Sequence, residues 1–255
     1  MKFLKCHPFP VAARFDRVLA FSFAFPEETL RPFVDDGLRI DSFQGLGFIT
    51  VALVWTRQLR PAGLPHFMGR DFFLAGYRVF TSLRDESGRK LRGLKIIGSE
   101  TDKRGMVFWG NLMTEYKYEH VGVQSTTADQ VTRLLTTKDD GKVSLDIRYD
   151  AETPTTSLPD GSPFADWREA RRFAGPMPFT FSPWGNGLFL VIQGTRASWE
   201  PRPIRVIDWR VGLFDNPVFG GIKPILANAF AVENIEYRWE RGKVIDTTKH
   251  EREAK

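Results

Sequence analysis

The sequence predicts a mainly β protein of the β-rich α+β class, with an antiparallel or mixed sheet that closes into a small barrel and two or three short helices. Apolar and alternating segments recur at short intervals along the 255 residues, without the regular strand–helix alternation of a parallel sheet. The chain holds 22 Phe, 7 Trp and 5 Tyr, which is too many aromatic side chains for a solvated coil. Cys6 is the only cysteine, which excludes a disulfide scaffold and a cysteine-based zinc site.

The predicted strands follow from the spacing of apolar residues. Residues 17–25 read RVLAFSFAF, and because both alternating faces of this segment are largely apolar, we expect both faces to be covered. Residues 85–90, DESGRK, form a hairpin turn between two strands. About nine or ten strands are expected. Besides the first, the predicted strand segments are 46–56, 72–83, 91–99, 114–124, 143–149, 179–182, 187–199, 204–214 and 230–239.

Two short helices are predicted between the strands. The first begins at Pro26, whose fixed φ suits a first turn, and ends at Gly37. The second runs from a cap at Ser162 and Pro163 to Gly175. A third segment, residues 102–113, fits either a short helix or a loop.

The chain shows one candidate linker and one candidate tail. Residues 151–163 contain three prolines and no periodicity, which indicates a loop. We expect residues 1–240 to form a single domain. The mostly charged residues 241–255 are expected to be a flexible tail.

Composition argues against several classes of function. The net charge is +5 and the pI is about 9.4, but the basic residues are spread along the chain, which favours a basic surface over nucleic-acid binding. The start of the sequence lacks the features of a signal peptide, and no segment is long and apolar enough for a membrane helix. A soluble cytoplasmic protein is therefore expected. With four histidines and one cysteine, no metal site and no cofactor are predicted.

Familiar catalytic motifs are absent or incomplete. No phosphate-binding P-loop is present, and Gly45 and Gly47 lack the third glycine and the following helix of a dinucleotide fingerprint. Ser87 and Lys90 match a Ser-x-x-Lys spacing, but they lie at a hairpin tip, where the turn explains them better. A recognisable hydrolase or metalloprotease motif does not occur.

Charged residues within apolar strands are the more informative candidates. Arg78 lies between Tyr77 and Val79, Arg17 opens a strand rich in Phe, and Lys117 is flanked by tyrosines. A charge carried into the interior needs a partner or a shifted pKa, whereas the alternative for each is a position on the rim or outer face. Tyr116, Tyr118 and His120 are expected to point one way from their strand, and the residues between them the other.

One long segment resembles a known family. Residues 29–63, TLRPFVDDGLRIDSFQGLGFITVALVWTRQLRPAG, resemble the acetoacetate decarboxylase-like superfamily, and more closely its uncharacterised YqjF-like bacterial family. The strand AGYRVFTS around Arg78 matches the strand that follows in those proteins. Trp199 and the run Leu213, Phe214 and Asp215 are similar to the decarboxylase itself. In order, the likeness spans about residues 11 to 240.

The resemblance implies a small cone-shaped barrel with an internal pocket. In acetoacetate decarboxylases, adjacent lysines follow a Gly-Arg-Glu strand end, and one of them forms a Schiff base whose reactivity depends on a lowered pKa. Here the strand end is Gly98, Ser99 and Glu100, and the lysine pair is missing. Lys103 with Arg104 is the nearest substitute and requires a gap of about three residues. Without that gap the catalytic position falls near Met106.

These observations lead to three functional hypotheses. The first is a binding protein for a small organic acid or keto compound, in which Arg78 and Arg17 hold a carboxylate, Tyr116 supplies a hydroxyl and Lys117 a cation near the pocket mouth. In this hypothesis Glu100 is the general acid or base if a reaction occurs. The second is a lyase or decarboxylase-like enzyme that forms a Schiff base on Lys103, Lys95 or Lys117.

The third hypothesis is a non-enzymatic interaction protein that assembles as a homo-oligomer. Its candidate interface anchors are tryptophans, although packing in the core explains most of them better. They are Trp55, Trp184, Trp199 and Trp209.

Overall fold

The computed structural model describes residues 5–175 and 177–247, and most of these residues lie in strands. The strands in this part of the chain are β1 Val11–Pro26, β2 Arg39–Ile40, β3 Leu46–Pro61, β4 Arg70–Arg84, β5 Lys90–Thr101, β6 Tyr118–Ala128, β7 Val131–Lys138, β8 Val143–Asp150, β9 Phe179–Gly185, β10 Leu188–Arg196, β11 Arg202–Pro203, β12 Arg205–Val211, β13 Ile225–Trp239 and β14 Lys243–Asp246. The helices there are α1 Glu27–Leu30, α2 Arg104–Met113 and α3 Trp167–Phe173. The predicted mainly β class with short helices is confirmed.

Seven strands pair in a closed ring, in the order β1, β3, β4, β5, β9, β10 and β13, and β13 pairs with β1 again. Every pairing around the ring is antiparallel except β5 with β9, which is parallel, so the sheet is mixed. The ring is less regular than a simple barrel because β5 also pairs with β6, which leads out of it. The predicted mixed sheet thus closes on itself.

A second layer covers the outer face of the ring. Strands β6, β7, β8 and β12 continue the sheet beyond β5 and pack against the outer face of β1, β3 and β4. In the core between the layers, Phe21 of β1 contacts Tyr149 of β8 with ring centroids 6.2 Å apart. Since Leu145 and Ile147 are fully buried in the same cluster, β1 is covered on this face, as its apolar pattern predicts.

Helix α3 closes one end of the ring. Phe164, Ala170 and Phe173 pack there on Phe48 of β3 and Phe80 of β4. These apolar contacts fill the space inside that end.

The cap of α3 differs from the predicted one. The helix starts at Trp167, because the Asp166 carboxylate accepts the N–H of Glu169 at 2.7 Å and the Glu169 carboxylate accepts the N–H of Ala165 at 2.8 Å. This arrangement is a variant of the capping box, in which Glu169 accepts from the residue before the N-cap and not from the N-cap itself. Ser162, the predicted cap, instead donates its hydroxyl to the carbonyl of Ala227.

Three other segments differ from or extend the prediction. Residues 104–113 form helix α2, which settles the choice between helix and loop. Residues 131–138 form β7, which was not predicted, because its run VTRLLTTK mixes polar and apolar residues on both faces. Within the segment expected to be a flexible tail, residues 243–246 form β14 and pair with β10. The rest of that segment from residue 248 lies outside the described residues.

Within residues 5–175 and 177–247, no helix has the length and hydropathy needed to span a membrane.

Candidate functional site

A cavity of about 1190 Å³ is lined by residues from all seven ring strands and from α2. Its walls are set by strand alternation. On β4, Phe72, Leu74 and Arg78 line the cavity, whereas Tyr77 belongs to the core between the two layers. The same alternation on β3 turns Thr50, Ala52, Val54 and Thr56 into the cavity.

Arg78 is the central charged group of this cavity. A Cβ at position 76 would lie 2.9 Å from Arg78 Nε, so the guanidinium folds back over Gly76 and needs the space that a glycine leaves. Among the described residues no carboxylate pairs with Arg78, and its buried Nε has no hydrogen-bond partner. Burial lowers the pKa of the guanidinium, and the nearby phenols of Tyr237, Tyr118 and Tyr116 act in the opposite direction. The ordinary pKa of arginine lies so far above 7 that the guanidinium still carries its positive charge at neutral pH.

Three tyrosines line the wall near Arg78. The hydroxyl of Tyr116 lies 3.3 Å from Thr180 Oγ1, and Tyr237 is hydrogen-bonded to Arg196. Burial raises the pKa of the phenols of Tyr116, Tyr118 and Tyr237. At neutral pH they therefore stay protonated and can donate hydrogen bonds to a bound molecule.

Helix α2 holds one of these tyrosines, Tyr118, in place. The Asn111 amide donates to the carbonyl of Tyr118 at 2.9 Å and its oxygen accepts the N–H of Tyr118 at 2.7 Å. Gly110 lies directly against the ring of Tyr118, where a side chain would clash. Tyr116, Tyr118 and His120 all line the cavity, as expected. Alternation on β6 accounts for Tyr118 and His120, whereas Tyr116 lies in a bend before the strand.

The structure brings together three of the residues singled out in the sequence. Arg78, Tyr116 and Lys103 line the cavity. Lys103 lies at its edge, where its side chain is 58% exposed and pairs with Asp102 at 3.0 Å. Met106, the position that the ungapped resemblance matches to the decarboxylase lysine, also lines the cavity.

The other three predicted site residues lie elsewhere. Arg17 leaves β1 on the outer face and pairs with Glu233 at 3.1 Å and Glu152 at 3.6 Å. Lys117 is exposed and points away from the cavity that its neighbours line. Glu100 is buried on the face of β5 opposite the cavity.

Glu100 forms a polar cluster between the two layers. The Tyr77 hydroxyl donates to Glu100 at 3.0 Å, and the Ser144 hydroxyl of β8 donates to the other carboxylate oxygen. Burial raises the pKa of Glu100, and these two hydrogen bonds lower it by less. This carboxyl group is thus a structural group of the core, and the predicted acid or base role would require it to reach the other side of β5.

Several residues of the site were missed from the sequence. Arg196, Tyr237 and Trp199 line the cavity, with the Arg196 guanidinium 4.6 Å from the centroid of the Trp199 ring. Alternation on β10, where Ile192 and Gly194 also line the cavity, would have indicated Arg196. Tyr237 does not follow the alternation from Phe230, because β13 is irregular at Asn234, whose φ is 53°. Trp199 lies beyond the end of β10. Trp55 and Trp209, two of the candidate interface anchors, pack on Phe73 and Phe23.

In the described ranges no group of three or more His, Cys, Asp or Glu side chains is placed to hold a metal ion.

Residues 12–226 match the model of the DUF2071 family, described as an uncharacterized conserved protein. The chain belongs to the DUF2071 family. No curated protein matches the chain in sequence.

Solved structures similar to this DUF2071 chain share its fold at low sequence identity. The enduracididine biosynthesis enzyme MppR in complex with pyruvate is 11% identical, with a TM-score of 0.59 over 94% of this chain and 92% of that one. Acetoacetate decarboxylase from Legionella pneumophila is 8% identical, with a TM-score of 0.63 over 93% and 88%. An acetoacetate decarboxylase-like enzyme from Sphingomonas wittichii RW1 is 12% identical, with a TM-score of 0.54 over 95% and 94%. The DUF2071 chain therefore has the acetoacetate decarboxylase-like fold that the resemblance implied.

Proposed function

We propose that the chain binds a small organic acid or keto compound in this cavity, with its carboxylate held by Arg78. The observation that carries the proposal is a guanidinium that faces the cavity without a carboxylate partner among the described residues. An uncompensated charge inside a protein costs several kcal/mol in lost hydration. A carboxylate from a ligand would recover much of this cost, since its two oxygens match the paired N–H groups of arginine.

The phenols near Arg78 supply the remaining contacts. Tyr116, Tyr118 and Tyr237 can each donate a hydrogen bond to a carboxylate or a carbonyl oxygen. This set of donors has no acceptor charge of its own, so it favours an anionic or carbonyl-bearing molecule over a cation. The likeness of fold to MppR, solved with the keto acid pyruvate, is consistent with such a ligand.

Calorimetric titration tests this function. We would titrate the chain with a series of carboxylic and keto acids and with the corresponding neutral amides. Acids are expected to bind better than their amides, and Arg78→Met is expected to weaken acid binding at least tenfold, about 1.4 kcal/mol. Arg17→Met is the matched control, because Arg17 is an arginine that lies outside the cavity and has its own carboxylate partners.

Equal affinity for acids and amides, or acid binding that survives Arg78→Met, would contradict the proposal. Circular dichroism and thermal unfolding of both variants would separate a lost ligand contact from a lost fold.

A Schiff-base enzyme is the second candidate, because Lys103 reaches the edge of the cavity. Among the described residues it is the one lysine in the lining. Its exposed side chain pairs with Asp102, whereas a Schiff-base lysine is activated by desolvation or by a neighbouring cation. Borohydride reduction with pyruvate or acetoacetate, followed by peptide mass mapping, decides between them. An adduct on Lys103 supports the enzyme, and its absence supports binding alone.

A further inference from the structure

Polar side chains form a single row across the inner face of four adjacent strands. Strand register places Asn228 of β13 opposite Ser22 of β1, Ser22 opposite Thr50 of β3, and Thr50 opposite Arg78 of β4. Residues opposite each other on one face lie about 5 Å apart at Cβ. This row, here called the polar row, therefore lies at one level of the ring.

The polar row contains unsatisfied hydrogen-bonding groups. Asn228 is fully buried and Ser22 is 1% exposed. The amide nitrogen and oxygen of Asn228, the hydroxyl of Ser22 and Nε of Arg78 have no hydrogen-bond partner in the described part of the chain. Buried polar groups without partners are rare in folded proteins, and each needs an explanation.

Next to the polar row the cavity wall is apolar. The positions two residues away on β1, β3 and β13 are Ala20, Ala52 and Phe230, and the next ones on β1 and β3 are Val18 and Val54. Leu74 of β4 lies opposite Val54. From Arg78 to Leu74 the strand covers four residues, about 13 Å at the usual rise per residue.

Apolar side chains also lie where the cavity reaches the surface. Phe9, Met68 and Trp109 line the cavity, and their exposed fractions are 39%, 50% and 59%. Exposed apolar groups grouped at a cavity mark a surface on which an apolar molecule can bind. The volume of about 1190 Å³ exceeds what a three- or four-carbon acid would fill.

We infer that the ligand is an amphipathic acid, with its carboxylate at Thr50 and Arg78, the end of the polar row that lines the cavity, and a medium-length apolar tail along the wall from Ala52 to Leu74. This inference rests on the proposed function, since it assigns the class of acid that Arg78 receives. The apolar wall would exclude the water that surrounds the tail in solution, and this end of the polar row would satisfy the head group. A short keto acid would occupy the same end of the polar row and leave the wall without a partner.

A chain-length series tests the inference. Acetate, butyrate, hexanoate, octanoate and decanoate share one head group and differ in the number of methylenes. Full burial of each methylene predicts affinity that rises roughly three- to fourfold per added methylene until the wall is filled. The affinity could depend on Arg78 and yet not rise from butyrate to decanoate. That result would overturn the inference and leave the proposed function intact. If no acid binds better than its amide, the proposed function itself fails.

A pair of variants at one wall position locates the tail. Val54→Phe places a ring in the path of the tail, and Val54→Ala at the same position enlarges the space. We expect Val54→Phe to lower the ratio of octanoate to acetate affinity at least tenfold and Val54→Ala to change this ratio less than threefold. An unchanged ratio in a folded Val54→Phe protein would place the tail elsewhere and overturn the assignment.

Discussion

Tyr77 and Arg78 are consecutive on β4, yet their side chains enter two separate polar environments. The Tyr77 hydroxyl donates to Glu100 at 3.0 Å in the core between the layers, whereas the Arg78 guanidinium lies in the cavity. Strand β4 thus separates the buried Glu100 carboxyl group from the buried Arg78 guanidinium. Neither group can neutralise the other. Burial raises the pKa of Glu100, and the guanidinium of Arg78 stays available for a ligand.

Replacement of Glu100 by Gln tests the first of these environments. The folded pKa of Glu100 is raised, so the folded state binds the proton more tightly than the unfolded state. The stabilisation is then full below the ordinary carboxyl pKa of about 4.3 and is lost as pH rises through the folded pKa. We expect the unfolding free energy of Glu100→Gln, relative to wild type, to increase with pH from about 4.3 upward.

Urea unfolding at a series of pH values measures this difference. Glu236→Gln, at an exposed position of β13, is the control for loss of a carboxylate from the surface of the same fold. The assignment of Glu100 to the core would be contradicted if the unfolding free energy of Glu100→Gln, relative to wild type, increased as the pH falls.

Replacement of Arg78 by Met tests the cost of the unpaired charge. Without ligand, Arg78→Met should be more stable than wild type by about 1–3 kcal/mol, because an apolar side chain of similar length carries no desolvation cost. Arg78→Lys keeps a charge and should show no such gain. A saturating acid should stabilise wild type and leave Arg78→Met unchanged, since only a molecule that binds the folded state shifts unfolding. Loss of stability in Arg78→Met would indicate that the guanidinium has a partner in the folded chain.

The sequence predicts the inner faces of β4 and β6, because the side chains alternate there as the pattern requires. Tyr116 lies before β6 and reaches the cavity from a bend, next to Lys117 with a φ of 53°. The prediction fails at Glu100 for a definite reason. Tyr77 pairs with Gly98 and Arg78 with Ile96, so Ile97 is an extra residue in β5. This bulge turns Ser99 into the cavity and Glu100 away from it, and a bulge leaves no mark in the apolar pattern.

Arg17 shows a second limit of prediction from sequence. Both faces of β1 are apolar, so the pattern alone does not say which face lies inside the ring. Closure of the ring depends on pairing between β5 and β9, whose paired residues are some 86 positions apart, such as Gly93 with Phe179. Pairing over such a separation follows from the whole fold and not from local spacing.

Two glycines of α2 form a matched test of how the helix positions Tyr118. A methyl group at Gly110 would clash with the ring of Tyr118, whereas at Gly105 nothing lies within 4 Å. Gly110→Ala is expected to destabilise the protein by about 1–3 kcal/mol and to weaken acid binding. Gly105→Ala should be neutral or stabilising by up to about 1 kcal/mol, since alanine favours the helix. Thermal unfolding and calorimetry check both, and equal effects of the two variants would contradict the proposed packing.

Asp41 links the closed end of the ring to α3. Its side chain is 4% exposed and accepts from Lys90 at 2.8 Å and from Arg92 at 2.5 Å, and Arg92 also donates to the carbonyl of Phe173 at 2.9 Å. Asp41→Ala would leave Arg92 without its carboxylate, and removal of one partner of a buried pair costs about 3–5 kcal/mol. The half-exposed Lys90 can turn to water, so we expect the unfolding free energy to fall by about 2–3 kcal/mol.

The exposed pair of Arg31 and Asp36, 3.0 Å apart, provides the comparison for Asp41. Asp36→Ala should cost less than about 1 kcal/mol, because water screens an exposed pair. Since Arg92 holds the end of α3, Asp41→Ala should also speed amide hydrogen exchange in the last turn of α3, while Asp36→Ala should leave it unchanged. Unfolding by urea and exchange followed by mass spectrometry measure both effects. Equal losses from the two aspartates would show that burial adds nothing to the Asp41 contacts and that α3 is held by its apolar face alone.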